Sequence, residues 1–344
     1  MSKVRIGLVG VGSMGQAAHL RNYVLVPDAE VVAIAELRPK LGQSVAARYG
    51  IPKVYANHTE LLKNEALDGC VAIQPFCEHV RLVPELLEKK VPVITEKPLA
   101  ESVESGEKLF AAVRKSGVPY YLAYHKRSDP ATSFVKQQMD EWTSSNALGK
   151  LRYLRVAMPP GDWIAEGFSQ NVRTEEKYSG HYGEGPYVGF VNYYIHQVNL
   201  IRFLVGDYHV ISADPKGLTF TALSDSGVTI VLEMSTYRTT IDWQESALVC
   251  FEKGWIKLDL PAPVAINRPG RVQIYEDLGK GSTPRLIEPT LPWLHAMRCQ
   301  AVNFVKAIKG EKTPLATAED GWKDLQTAAE YLKLLGESQQ KFGK

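Results

Sequence analysis

Short apolar runs alternate with amphipathic stretches along the first third of the chain. The apolar runs are predicted as β-strands over residues 4–9, 31–35, 70–73, 91–94 and 119–123. The stretches between them place apolar residues at helical spacing and are predicted as helices over residues 39–49, 60–64, 79–89 and 103–116. Because strands that alternate with helices form βαβ units, this pattern predicts a doubly wound α/β domain whose parallel sheet is buried on both faces.

The pattern changes after residue 126. A helix is predicted over residues 130–142, with Asp129 as its N-cap. Strand-like runs follow over residues 151–157, 218–223, 228–237, 246–251, 255–260 and 271–275, and helices are predicted over residues 191–205, 291–308 and 318–335. Successive strands joined by short turns are typical of an antiparallel sheet. The chain is therefore predicted to divide into a doubly wound domain, residues 1–126, and an α+β domain, residues 127–344, with a large, mostly antiparallel open sheet backed by helices.

The composition of the 344 residues excludes several classes of protein. Hydrophobic residues make up 45% and charged residues 23%, and the net charge of +2 does not fit a strongly basic nucleic-acid platform. No run approaches the roughly 20 apolar residues of a membrane span. Gly7, Gly10 and Gly12 interrupt the first apolar stretch, so no export signal is expected. The cysteines lack metal-ligand spacing, and we expect a cytoplasmic protein without a metal site.

A glycine-rich turn directly follows the first predicted strand and opens a helix. Its residues are Gly10, Gly12, Ser13, Met14 and Gly15. In such a turn the first glycine permits the tight bend, the second lets the backbone approach a pyrophosphate, and the third lets the helix pack on the strand. An acidic residue, Glu36, ends the second predicted strand about 20 positions later, as dinucleotide-binding folds require. The first domain is therefore predicted to bind a dinucleotide.

Glu36 and Arg38 favour different dinucleotides. A carboxylate accepts hydrogen bonds from a free ribose diol and repels a 2′-phosphate, which favours NAD. The guanidinium of Arg38, two residues later, is able to hold that phosphate. We predict NAD as the cofactor, with NADP as the alternative.

The tripeptide Glu96-Lys97-Pro98 follows the strand predicted over residues 91–94. The carboxyl end of a parallel strand is where doubly wound sheets bind ligands. A partly desolvated lysine there can act as a general base or acid near neutral pH. The alternative is a surface lysine in a loop, but Pro98 stiffens this loop and favours a positioned side chain.

The helix predicted over residues 191–205 carries an apolar and a polar stripe. The apolar stripe is Val191, Ile195 and Val198, and the polar stripe is Asn192, His196 and Asn199, with Tyr193 three residues before His196. A single histidine on such a helix is often a hydrogen-bonded structural residue. An amide, an imidazole and a phenol on one surface also suit a functional site, and we favour this interpretation.

The glycine turn, Glu96-Lys97-Pro98 and the helix with His196 together resemble the glucose–fructose oxidoreductase/inositol dehydrogenase (Gfo/Idh/MocA) family over nearly the whole chain. The resemblance implies an N-terminal Rossmann domain and an NAD(P)-dependent oxidoreductase acting on a carbinol of a sugar, cyclitol or related polyol. It implies that Lys97 contacts the nicotinamide and the reacting hydroxyl, as a general acid/base with His196. It places Gln74, Pro75, His79, Glu96 and Trp163 at the cofactor.

The substrate is expected to contact residues that offer donors, acceptors and stacking rings. These are Arg127, Trp163, Tyr182, Asn192 and Tyr193. The family's dehydrogenases usually carry an aspartate where this chain has Asn192. Without that negative charge, the pKa of Lys97 is expected to be lower than in an aspartate-bearing relative.

Three functions stay open at this point. The first is a dehydrogenase of a sugar or polyol. The second is a redox-neutral NAD-dependent glycosidase, which oxidises a ring hydroxyl transiently and eliminates the aglycone; some relatives of this kind carry Tyr-x-x-His, which Tyr193 and His196 match. The third is a non-catalytic NAD-binding sensor, against which the retention of Lys97 and His196 argues.

The strand predicted over residues 228–237 also bears on assembly. Val228, Ile230, Leu232 and Met234 point to one side, and Thr229, Val231, Glu233 and Ser235 point to the other. The second set is too apolar for a wholly solvated face, and relatives commonly associate through this sheet. We therefore expect a homodimer or homotetramer, with a small-molecule substrate and neither a nucleic acid nor a membrane as partner.

Overall fold

The computed structural model describes residues 2–178, 180, 183–279 and 281–342. The strands are β1 Val4–Val9, β2 Ala29–Ala35, β3 Val54–Tyr55, β4 Gly69–Ala72, β5 Val93–Thr95, β6 Tyr120–Leu122, β7 Leu151–Ala157, β8 Tyr208–Ala213, β9 Thr219–Ser224, β10 Thr229–Glu233, β11 Glu245–Phe251, β12 Gly254–Leu260, β13 Arg271–Glu276, β14 Arg285–Ile287 and β15 Ala316–Thr317. A π-helical segment, Gly15–Leu20, leads into the helices, which are α1 Arg21–Tyr23, α2 Pro39–Tyr49, α3 His58–Asn64, α4 His79–Glu88, α5 Val103–Ser116, α6 Pro130–Ser145, α7 Pro186–Tyr193, α8 Ile195–Val205, α9 Ala296–Ile308 and α10 Ala318–Phe342.

The first sheet has seven strands in the order β15-β6-β5-β4-β1-β2-β3. β1 to β6 are all parallel, and β15 adds an antiparallel edge next to β6. The central strands are buried along nearly their whole length, because helices cover both faces of a parallel sheet. The strand order reverses direction between β1 and β4, the position at which doubly wound sheets bind their ligands. The predicted Rossmann domain is confirmed.

The second sheet has eight strands in the order β14-β13-β12-β11-β7-β10-β9-β8. All neighbours are antiparallel except β7 and β10, which run parallel. Burial alternates along β11 and β12, so one face of this sheet packs on the core and the other is open. The predicted mostly antiparallel open sheet is confirmed. β8 and β14 were not predicted from the sequence.

By the proximity of its backbone, the chain divides into two compact units made of discontinuous segments. The first unit comprises Met1–His125, Glu166–Tyr193 and Met297–Leu325, and the second comprises Lys126–Ala165, Tyr194–Ala296 and Gln326–Lys344. The chain first passes from one unit to the other after His125. Two later segments, Glu166–Tyr193 and Met297–Leu325, were predicted as parts of the second domain but belong to the first unit.

The helix predicted over residues 191–205 is two helices in the structure. α7 ends at Tyr193 and α8 begins at Ile195, with Tyr194 as the N-cap whose carbonyl accepts from Gln197 N at 3.0 Å. Aromatic and β-branched residues fill this stretch and are weak helix formers, so tertiary packing decides where the helix breaks. The single continuous helix predicted over residues 191–205 is therefore wrong. The predicted apolar stripe is buried, since Val191, Ile195 and Val198 are fully buried.

None of the helices in the described parts of the chain is long and apolar enough to cross a membrane.

Asp129 caps α6, as predicted, and is almost fully buried. Its Oδ1 accepts from Ala131 N at 2.8 Å and from Gly270 N at 3.1 Å. Its Oδ2 has no hydrogen-bond partner among the described residues. Burial raises the pKa of Asp129 to about 6, although the backbone N–H groups act in the opposite direction.

This pKa predicts a pH-dependent contribution to stability. Because the folded-state pKa lies above the usual 3.8, the contribution is complete below that value and is lost as the pH rises through about 6. Asp129→Asn keeps the capping oxygen but does not titrate. Relative to this variant, the wild type is expected to lose about 2 kcal/mol of unfolding free energy between pH 4 and 7. Urea unfolding of both proteins at the two pH values measures this, and parallel pH profiles would contradict it.

Candidate functional site

The glycine turn lies between β1 and the π-helical segment, and two of its glycines are required by the backbone. Gly10 has φ of +90°, and a Cβ there would lie 2.3 Å from Ile73 O. A Cβ on Gly15 would lie 2.2 Å from Gly10 O. At Gly12 the nearest atom to such a Cβ is the terminal Nη2 of Arg38, at 3.3 Å, so Gly12 leaves the loop backbone open to a ligand. This bare loop fits the pyrophosphate of a dinucleotide.

Two further residues of the turn frame this loop. The exposed Ser13 accepts a hydrogen bond at its carbonyl from Asn171 Nδ2, at 3.0 Å, and the half-buried Met14 directly precedes the π-helical segment. π-Helical segments are rare and occur often at functional sites.

Glu36 directly follows β2 and is buried. Its carboxylate accepts from Val11 N at 2.9 Å, and from Arg38 through Nε at 2.7 Å, Nη2 at 3.1 Å and the backbone N at 3.2 Å. These four bonds use about as many acceptor positions as a carboxylate has. The sequence offered Glu36 and Arg38 as competing determinants, but the structure makes them an ion pair. A ribose diol that donates to Glu36 therefore has to displace contacts from Arg38.

The loop after β4 presents Gln74, Pro75 and His79. Gln74 Nε2 donates to Val9 O at 2.8 Å, while its Oε1 is buried without a partner in the described part of the chain. Pro75 precedes a single 3-10 turn, after which His79 begins α4. His79 is fully buried; its Nδ1 lies 3.2 Å from Leu99 O, and its Nε2 lacks a partner among the described residues.

Burial lowers the pKa of His79 to about 4, against smaller opposing effects of hydrogen bonding and of Glu96. The imidazole is therefore neutral at physiological pH. The unpaired buried Oε1 of Gln74 and Nε2 of His79 are polar positions that fit contacts with a bound ligand. Their role at the cofactor stays a prediction.

Glu96 is held by a residue that the sequence analysis missed. His19, in the π-helical segment, places Nε2 at 2.7 Å from Glu96 Oε1, and Glu96 Oε2 accepts from Lys97 N at 3.2 Å. Burial by itself would raise the pKa of Glu96, but its interactions with His19 and Lys97 together outweigh the burial, and the pKa is lowered. A histidine four residues after Gly15 was the available signal.

Lys97 is half-buried, directly after Glu96 and β5. Its Nζ donates to Asn192 O at 2.6 Å. Asn192 lies in the last turn of α7, where backbone carbonyls have no partner within the helix and favour a cation. The structure thus brings Lys97 to the backbone carbonyl of Asn192. The side chain of Asn192 is exposed and that of Tyr193 is half-buried.

Three of the remaining predicted site residues, Arg127, Trp163 and His196, belong to the second unit. His196 lies in the first turn of α8 and is half-buried. Arg127 is buried, donates through Nε to Asn199 Oδ1 at 2.7 Å and lies 5.0 Å from the centre of the Phe203 ring. Trp163 is half-buried and its carbonyl accepts from Val264 N at 3.3 Å. Tyr182 lies outside the described residues.

A buried charged cluster next to His196 in sequence was also not predicted. Glu245 accepts from Lys126 Nζ at 2.5 Å, from Gln197 Nε2 at 2.7 Å and from Trp243 Nε1 at 3.2 Å. Because Gln197 is on α8, this cluster ties that helix to the start of β11. Breaking a buried pair of this kind costs more than removing a surface one, so we assign it a structural role.

No group of three or more histidine, cysteine, aspartate or glutamate side chains within the described ranges is arranged to hold a metal ion.

Comparison with known proteins identifies relatives of the first part of the chain. Residues 4–124 match the model of an oxidoreductase family with an NAD-binding Rossmann fold. Inositol 2-dehydrogenase of Rubrobacter xylanophilus is 32% identical over 149 residues, which are 43% of this chain and 41% of that enzyme. The matches to such curated relatives span about half of the relatives' length or less.

Solved structures resemble nearly the whole chain. Levoglucosan dehydrogenase in complex with NADH and levoglucosan has a TM-score of 0.76 at 16% identity, with 98% of each chain covered. A 3-ketoreductase from Actinomadura kijaniata, in complex with TDP-benzene and NADP, has a TM-score of 0.71 at 17% identity, with 96% of this chain and 98% of that chain covered. At such identities the likeness establishes the fold. Residues 4–124 match the Gfo/Idh/MocA family of oxidoreductases through their NAD-binding Rossmann fold.

Proposed function

We propose that the protein is an NAD-dependent oxidoreductase that transfers a hydride between a carbinol of a sugar, polyol or sugar derivative and the nicotinamide. The observation that carries this proposal is Lys97, held by Asn192 O at 2.6 Å at the carboxyl end of β5, in the same parallel sheet whose β1 ends at the glycine turn. Relatives named as inositol and levoglucosan dehydrogenases support this substrate class.

Lys97 acts as the general base in the oxidation direction. Bound NAD supplies the hydride acceptor for the hydrogen on the carbinol carbon. The neutral amine of Lys97 takes the hydroxyl proton, so the alcohol becomes a carbonyl and Lys97 becomes an ammonium. Asn192 O receives a hydrogen bond from Lys97 Nζ and orients it, while His19 holds Glu96, the residue before Lys97, in place. We assign His196 a hydrogen bond to the substrate oxygen.

We propose substrate contacts for Asn192, Tyr193, Trp163 and Tyr182. Arg127 is a weaker candidate, because its guanidinium already binds Asn199 and stacks on Phe203.

A substrate panel tests the proposal. The purified chain is incubated with NAD and, separately, with inositols, monosaccharides, anhydrosugars and aryl glycosides. Accumulation of NADH with a free sugar or polyol is the expected result. Release of an aglycone without net NADH would instead identify the redox-neutral glycosidase. Dinucleotide binding without any turnover would favour the sensor.

We also propose that the open face of the second sheet joins two copies of the chain. Its registered neighbours Tyr153, Cys250, Trp255 and Tyr275 form a row across four strands, and the last two rings stack at 5.9 Å. A large, partly apolar face of this kind is typical of an association surface.

Light scattering is expected to return a multiple of 38.2 kDa. Leu248→Glu would place a charge on this face and is expected to shift the mass toward the monomer. The exposed Thr143 on α6, which is not part of the sheet, provides the control through Thr143→Glu. A wild-type mass near 38.2 kDa at micromolar concentration would contradict the prediction.

A further inference from the structure

Residues 167–176 run along the first helices of the parallel-sheet unit and are fastened to them at several points. Arg21 Nη1 donates to Gly167 O at 3.1 Å, and Asn171 Nδ2 donates to Ser13 O at 3.0 Å. The segment therefore reaches the glycine turn itself. We call residues 167–176 the clasp.

The central fastening is a paired contact with Gln16. Its Nε2 donates to Val172 O at 3.1 Å, and its Oε1 accepts from Val172 N at 2.8 Å. Gln16 is buried, and the side chain of Val172 packs against the hydrophobic core that contains Ile6 and Leu8. A buried amide that satisfies both backbone groups of one residue sets the register of the clasp.

The far end of the clasp caps α2. The N-cap residue of this helix, Arg38, offers it no side-chain hydrogen bond. Glu176 supplies the missing acceptor, with Oε2 accepting from Leu41 N at 2.9 Å and Oε1 from Lys40 N at 3.3 Å. The side chain of Lys40 pairs with Glu175. A carboxylate at a helix N-terminus neutralises the positive end of the helix dipole.

This capping bears on the choice of dinucleotide, because α2 begins three residues after Glu36. The end of β2 is where dinucleotide folds bind the adenosine ribose, and a 2′-phosphate there needs a nearby positive group. The Arg38 guanidinium and the N-terminus of α2 are groups of this kind at this position. Glu36 occupies the first and Glu176 the second.

We infer that the clasp makes Glu176 a specificity-determining residue, which disfavours dinucleotides that carry a 2′-phosphate by occupying the N-terminus of α2. The inference rests on the proposed use of a nicotinamide dinucleotide. It differs from the ribose contact assigned to Glu36, because Glu176 acts by charge from a segment about 140 positions later in the chain.

Titration calorimetry with NAD and with NADP measures the ratio of their dissociation constants. Glu176→Gln retains an acceptor for the α2 N–H groups but removes the negative charge. We expect the preference for NAD over NADP to fall about two- to fivefold, from the usual effect of one charge at a helix terminus. Glu175→Gln is the matched control, since Glu175 is exposed and contacts the Lys40 side chain rather than the helix backbone. We expect less than a twofold change for it.

Equal changes in the two variants, or an unchanged preference in Glu176→Gln, would overturn the inference. Failure of the wild type to bind either dinucleotide would instead overturn the proposed cofactor function, so the two failures are distinguishable. Hydrogen exchange provides a readout without cofactor. The Leu41 amide is expected to exchange faster in Glu176→Ala than in the wild type, and unchanged protection would show that the clasp does not cap α2.

Discussion

Lys97→Met is expected to lower kcat/KM by about 100- to 10 000-fold, the usual range for loss of a general acid/base. Methionine has a similar length but no proton to exchange, so the hydroxyl proton has no acceptor when the hydride leaves. Binding of NAD, measured by calorimetry, is expected to change little, because the glycine turn and Glu36 are untouched. Steady-state assays with the substrate identified by the panel provide the measurement.

Lys97→Arg separates proton transfer from simple positioning. An arginine keeps a positive donor for Asn192 O but does not lose its proton in proteins, so it cannot act as a base. We expect this variant to be as impaired as Lys97→Met. Lys108→Met is the control, since Lys108 is an exposed lysine paired with Glu104 on α5. Activity of either Lys97 variant within tenfold of the wild type would exclude Lys97 as the acid/base.

Much of the parallel-sheet unit was predictable, because its signals are local. β1, α2 and α5 have the predicted bounds, since an apolar run that ends in glycines and an amphipathic stretch define each element by itself. The clasp residues were not predicted to join this unit. Their docking depends on Gln16 and Leu41, which lie more than 100 positions away, and local periodicity carries no information about such partners.

In the second unit, β8 and the start of α9 were not predicted correctly from the sequence. β8 carries polar residues such as His209 and Ser212 and lies at the sheet edge, where burial is incomplete and the alternation is weak. The helix predicted to begin at residue 291 begins at Ala296 instead. Apolar residues at helical spacing before it, such as Trp293, are exposed in the structure, and Pro292 lacks the N–H that a helix interior needs.

In the candidate site, too, some features could be predicted from the sequence and others could not. Glu36, Glu96 and Lys97 could be predicted because each follows a strand of the parallel sheet. The partner of Lys97 is the carbonyl of Asn192, and a backbone carbonyl has no sequence signature. Similarly, the pairing of Glu36 with Arg38 depends on a side-chain geometry that spacing alone leaves open.

Gly10→Ala is expected to destabilise the protein by about 3 kcal/mol or more and to abolish dinucleotide binding. Part of the loss is the left-handed backbone at φ of +90°, which costs a residue with a Cβ about 1–3 kcal/mol. The rest is steric, because the new methyl group would lie 2.3 Å from Ile73 O and would push β1 and the end of β4 apart. Urea unfolding measures the first effect and calorimetry with NAD the second.

Gly50→Ala measures the backbone contribution alone, and its difference from Gly10→Ala gives the steric contribution. Gly50 ends α2 with φ of +67°, but no atom lies within 4 Å of the position of its Cβ. This variant is therefore expected to lose only about 1–2 kcal/mol, the cost of a left-handed residue, and to bind NAD normally. If Gly10→Ala lost no more stability than Gly50→Ala, or still bound NAD, close contact between the glycine turn and the loop after β4 would not be what forms the cofactor site. Because Ile73 directly precedes Gln74, the same displacement would move the Oε1 of Gln74, which has no partner among the described residues. The loss of binding should therefore exceed what the loss of stability alone accounts for.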